Sequence, residues 1–126
     1  MADARDFLPE AGPPSAGKSL GRVMNDLDQA LQTVEPRPAV YVVVSADENY
    51  WYKGACRDLV RRLKDHRAGR VAHTKNRRPL GLAYFEYGQS YEAALKRGKF
   101  LKSGVGRHWL HDRLQARVAE WQTQGT

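Results

Sequence analysis

Seven consecutive residues, Ala39–Ser45 (AVYVVVS), restrict this chain more than any other stretch. Its valines lose side-chain freedom in a helix and suit a pleated sheet surface. The next four residues, ADEN (46–49), are turn formers, and YWYKGA (50–55) reads as a second strand. The pair therefore makes a β-hairpin. If Ser45 pairs with Tyr50, Val43 faces Tyr52 and Tyr41 faces Gly54, which sets both tyrosines on one face.

Further elements follow in order. DLVRRLKDHRAG (58–69) reads as a helix, with Asp58 as its N-cap and Gly69 as its stop. RVAHTKNRRP (70–79) is a basic loop, and LGLAYFEYG (80–88) a third strand. Ser90 then opens an amphipathic helix, YEAALKRGKFLKSG (91–104). The segment RHWLHDRLQARVAEWQ (107–122) closes the fold, with Trp109, Leu110, Leu114, Val118 and Trp121 on its apolar side. Upstream, Leu20, Val23, Leu27, Ala30, Leu31 and Val34 have helical spacing, and EPRP (35–38) ends that helix. Residues 1–17 read as a flexible tail, 18–36 as an N-terminal helix, and 37–122 as the folded domain. The expected class is α/β: a small three-stranded sheet flanked by helices.

An apolar share of 41 % over 126 residues supports one modest core. A single cysteine, Cys56, excludes an internal disulfide framework and suits a reducing, cytoplasmic setting. No apolar run is long enough for a membrane span, and the N-terminus lacks the apolar core of a signal peptide. Charge is unevenly placed. Residues 1–52 carry 4 Lys and Arg against 8 Asp and Glu, a net of −4, whereas residues 53–113 carry 16 against 5, a net of +11. So basic a block attracts polyanions, nucleic acid foremost. The motif GPPSAGKS (12–19) has the letters of a nucleotide-binding loop, but no buried strand precedes it and two prolines remove backbone donors. ATP is not an expected ligand.

Four residues can form a site. Tyr41 and Tyr52 share a hairpin face, and the stripe Leu59, Arg62, Leu63, His66 packs the next helix on the sheet. Arg62 can hold a phosphate oxygen bidentately, while a tyrosine or His66 can orient or deprotonate water. Each has a plainer reading: strand-forming tyrosines, an arginine reaching past leucines, a histidine serving the helix dipole. His108 and His111 lack a third ligand at metal spacing and read as structural.

The order AVY (39–41), YKG (52–54), Arg62 ten residues after Tyr52, His66, KNRRPLGLAYFEY (75–87) and LKSGVGRHWL (101–110) resembles the GIY-YIG nuclease family. The resemblance implies an α/β fold, a phosphodiesterase acting on DNA, and Tyr41, Tyr52, Arg62 and His66 as catalytic residues. It also implies Mg²⁺ or another divalent metal, held by a glutamate. Aligning LKSG sets Gly98 at that glutamate, with Glu86 as a candidate substitute. Lys53 stands where the family usually has an aliphatic residue. Phosphate contacts are expected from Lys53, Arg57, Arg61, Lys75, Arg77, Arg78 and Lys99, with DNA favoured over RNA by resemblance alone. Three accounts of Gly98 stay open: a natural loss of catalysis with binding kept, an engineered inactivation, or a displaced metal ligand. The alternative function is a basic, non-catalytic module for an acidic protein partner.

Overall fold

A computed structural model describes residues 25–124. The expected tail, the Gly12–Ser19 motif and the first part of the expected N-terminal helix lie outside them. In chain order the elements are β1 (Asn25–Asp26), α1 (Leu27–Ala30), β2 (Ala39–Ser45), β3 (Trp51–Cys56), α2 (Leu59–Ala68), β4 (Leu80–Tyr87), α3 (Tyr91–Lys102) and α4 (Gly104–Gln124). A short 3-10 turn, Lys75–Arg77, sits in the basic loop.

The sheet is antiparallel, with strand order β1-β4-β2-β3. It has four strands rather than three, because Asn25 and Asp26 pair with Leu82 and Gly81 of β4. Within the described part of the expected helix over 18–36, Asn25 and Asp26 are therefore strand. Its described helical part is Leu27–Ala30, opened by Asp26, whose side chain accepts the Gln29 N–H. The hairpin has the expected register: Tyr41 opposite Gly54 and Val43 opposite Tyr52.

β2 is buried along its whole length, since helices cover both faces. Its odd-numbered residues Tyr41 and Val43 pack with Leu27, Leu59 and Leu63 of α1 and α2. Its even-numbered residues Val40, Val42 and Val44 pack with Leu101, Leu110, Leu114 and Val118 of α3 and α4. Each such side chain contributes roughly 1.5–3 kcal/mol by leaving water. β4 has an irregularity opposite Val42 and Val43, where Val42 faces Tyr84 but Val43 faces Leu82. One extra residue, Ala83, reverses the alternation there. Leu80 and Leu82 thus join the α1–α2 face, and Tyr84 and Glu86 the α3–α4 face.

Asp58 caps α2 by accepting the Arg61 N–H, and Gly69 ends it with φ 80°. Helix α4 starts at Gly104, three residues before the expected position. Gly106 is not a break: a side chain there would run into the Phe100 carbonyl, so this glycine lets α4 pack tightly against the end of α3. Among the described residues, no helix is long and apolar enough to cross a membrane.

Candidate active site

The register sets Tyr41 and Tyr52 on the α2 face of the hairpin, and the stripe of α2 brings Arg62 and His66 against them. Their rings lie close: Tyr41 to Tyr52 at 6.3 Å between centroids, and His66 at 5.4 Å from each. A hydrogen-bonded line runs through the group. Arg62 Nε donates to the Tyr41 phenol oxygen at 3.3 Å, the phenol meets His66 Nε2 at 2.7 Å, and His66 Nδ1 meets Thr74 Oγ1 at 2.8 Å. Because Arg62 can only donate, the phenol proton is directed to Nε2, which leaves Nδ1–H to donate to Thr74.

Tyr41, His66 and Thr74 are fully buried, at 0 % exposure. Burial pushes the Tyr41 phenol far above its usual range, despite the opposing hydrogen bond from Arg62. Burial, with the positive Arg62 next, lowers His66 to about 4. At neutral pH the phenol therefore keeps its proton and the imidazole is neutral. Neither group meets solvent, and the hydrogen-bonded line holds the Arg62 guanidinium in place. Tyr52 and Arg62 are the half-buried members that reach the surface. Tyr52 also stacks on His73 at 5.8 Å, and Tyr50 donates its hydroxyl to the His73 carbonyl at 2.9 Å.

Arg62 opens onto a shallow groove of about 330 Å³, whose lining includes Arg57, Arg61, Asp58, Asp65, Ala55 and Tyr91. Arg57 lies over the Tyr91 ring at 4.0 Å. Of the expected phosphate contacts, Arg57 and Arg61 gather here with Arg62. Others do not. Lys53 pairs with Val42 and so lies on the opposite sheet face. Arg77 pairs with Glu48 and covers the Tyr50 ring at 4.4 Å. Arg78 donates to the Arg67 and Lys75 carbonyls, both at 3.1 Å, and so holds the end of α2 to the loop. Lys75 is exposed on that loop and Lys99 on α3, and neither lines the groove.

A sequence model described as the GIY-YIG catalytic domain matches residues 37–108. The chain belongs to the GIY-YIG family. The match runs from just before β2 into the first turns of α4, so it covers every strand of the site. A UPF0213 protein of Haloquadratum walsbyi is 40 % identical over 65 residues, which is 51 % of this chain and 72 % of that protein. No solved structure matches. A GIY-YIG domain is of nuclease type, and such nucleases generally use divalent metal ions.

The donors present in this GIY-YIG domain do not fit such an ion, which needs carboxylate oxygen. Among the described residues, no three His, Cys, Asp or Glu side chains are grouped to hold a metal. The groove carboxylates are committed: Asp58 accepts from the Arg61 N–H, and Asp65 pairs with Arg70 at 2.8 Å. Glu86, the candidate substitute, points away from the tyrosines. It is gripped by Arg97 through two bonds of 2.8 Å and accepts from the Tyr84 hydroxyl. Gly98 is buried on α3, where an added Cβ would sit 3.7 Å from Val40 and 3.9 Å from Ala55, a groove-lining residue. Those are ordinary contacts, so packing does not demand a glycine.

Sequence reasoning passed over Thr74, His73 and Arg97. Thr74 gives no signal, because its role exists only once the basic loop folds onto α2. His73 is visible only as one more polar loop residue. Arg97 reads as solvated until the strand irregularity brings Glu86 to it.

Proposed function

We propose that this GIY-YIG domain binds the phosphodiester backbone of DNA at the Arg57–Arg61–Arg62 groove and hydrolyses it weakly or not at all. The observation that carries the reading is the hydrogen-bonded line Thr74–His66–Tyr41–Arg62, which ends at the groove. It fixes a guanidinium beside the Tyr52 phenol, where a phosphate oxygen can be held and its developing charge offset. Tyr52 is the group that can orient water or the bridging oxygen, since His66 is sealed from solvent. The weak-hydrolysis part rests on Gly98. The family resemblance aligns it with the metal-holding glutamate, and its neighbours leave room for a side chain directed toward Ala55.

Two measurements test this. Labelled duplex DNA should bind the protein with an affinity that falls as salt rises, and Arg62→Ala should weaken it. In a plasmid cleavage assay with Mg²⁺, Gly98→Glu should cleave faster than the parent, and Gly98→Glu with Arg62→Ala should lose the gain. A parent that cleaves as fast as Gly98→Glu sinks the impaired-catalysis reading. Absence of any salt-sensitive DNA binding transfers the basic face to an acidic protein partner.

A further inference from the structure

A second group of cations lies round the sheet edge from the Arg62 groove. Since β3 ends the strand order, one of its edges is unpaired within the sheet. Lys53 is on β3, on the face opposite Tyr52. Beside it, Trp51 of the same face stacks flat on His111 of α4, with ring centroids 3.9 Å apart and planes 9° from parallel. Arg107 precedes His111 by four residues and so shares its face of α4, and Lys102 ends α3 five residues earlier. Lys53 is half-buried, and burial lowers its pKa first, followed by the charges of Arg107 and Lys102. His111 is lowered by burial, then by Lys53 and Arg107, against the opposing charge of Asp112.

The charges that act most strongly on Lys53 are therefore both cations. The nearby carboxylate, Asp112, is 3.8 Å from His108. Among the described residues, Lys53, Lys102 and Arg107 take part in no ion pair. Like charges gathered without counter-charge raise one another's energy, and an anion laid between them relieves that repulsion. Lys64, Arg67 and the other cations of α2 are on the far side of the sheet and do not belong to this group.

We infer that Lys53, Lys102 and Arg107 form a second phosphate-binding patch, so that a nucleic-acid backbone held at the Arg62 groove continues across the free edge of β3. The occupant is a phosphodiester strand, because the patch offers two ammonium charges and one guanidinium, which suit successive phosphate oxygens. Together with Arg57 and Arg61 of the groove, it makes the unpaired edge of β3 the track of the strand. This inference rests on the nucleic-acid reading above and adds the path to it.

The test is the salt dependence of binding to a labelled duplex, measured for the parent, Lys102→Ala/Arg107→Ala, Lys53→Gln and Arg57→Ala/Arg61→Ala. Lys102 and Arg107 are exposed, so their double variant leaves the core intact; Lys53→Gln keeps most of the half-buried stem. Removing one cation that neutralises a phosphate should lower the slope of log K against log salt by about 0.9, so the Lys102→Ala/Arg107→Ala slope should fall by about 1.8. Lys53→Gln should lower it by about half as much. An unchanged slope in both patch variants overturns the second patch. If Arg57→Ala/Arg61→Ala still lowers the slope in that case, the groove reading survives alone. A parent that binds no DNA overturns both.

Discussion

Tyr41 is enclosed by a glycine across the hairpin. A side chain on Gly54 would place its first carbon 2.7 Å from the Tyr41 hydroxyl. That hydroxyl is fixed by Arg62 and His66, so it has nowhere to go. Gly54→Ala should therefore lower stability by about 1–3 kcal/mol, the usual cost of overpacking, read as a lower urea midpoint. Gly98 has the opposite outlook. Its neighbours accept a methyl group at ordinary distance, and glycine inside a helix costs about 1 kcal/mol relative to alanine. Gly98→Ala should raise stability by about 0.5–1 kcal/mol, read as a higher urea midpoint, while leaving DNA affinity unchanged. A loss of stability would mean that α3 cannot approach β2 with a Cβ present.

His66 gives stability a pH dependence. Its folded pKa is about 4 against an ordinary 6.5. Between those values the unfolded chain holds a proton that the native chain lacks. Its contribution is thus complete above pH 6.5, declines as pH falls toward 4, and levels off below. The difference is about 3 kcal/mol. Urea midpoints measured in steps from neutral pH down to about pH 4 should show that decline in the parent, and a flatter profile in His66→Gln. Parallel profiles would show that His66 titrates normally.

Among the elements, α3 is the one held by charge as well as by packing. Arg97 and Glu86 are each only 8 % exposed, and their bidentate pair joins α3 to β4. The Phe100 and Trp109 rings lie 5.4 and 5.8 Å from the Arg97 guanidinium carbon, so the pair also ties in α4. Removing one partner strands a buried charge. Arg97→Ala should cost about 3–5 kcal/mol, whereas Arg97→Met with Glu86→Leu should recover most of it, because an apolar pair needs no desolvation offset. Equal losses in the single and double variants would show that the site depends on charge rather than on filling. The hairpin needs no such device. Its register follows from the turn, where the Ser45 N–H donates to the Tyr50 carbonyl.

For the molecule as a whole, charge is arranged by chain position and then divided by the sheet. The basic block of residues 53–113 folds so that Arg57, Arg61 and Arg62 gather at the groove, while Lys53 lies on the sheet face opposite Tyr52 with Lys102 and Arg107 acting on it. If the proposed reading holds, DNA of any sequence should bind with nearly equal affinity, because cations matched to phosphates carry no base information. Competition between duplexes of unrelated sequence checks this. A preference of tenfold or more would point to base contacts that the cation arrangement does not supply.

Local chemistry alone made much of this protein legible. The β-branched run, the turn after it and the two helix caps at Asp58 and Gly69 specify the hairpin and α2, since each depends on neighbours in sequence. The spacing of Tyr41, Tyr52, Arg62 and His66 was legible for the same reason: strand alternation and helical periodicity decide which side chains share a face. Non-local pairing settles the rest. Ala83 reverses the alternation of β4 only because β2 sets the register opposite it, and so Glu86 faces Arg97 rather than the tyrosines. Thr74 acquires a partner only when its loop closes over α2, and burial of His66 follows from that closure. Asn25 and Asp26 leave the helical pattern to pair with β4. In each case an inter-strand or inter-element contact outweighs a weak local preference, because hydrogen bonds and buried area from a distant segment are not written in any short stretch of the chain.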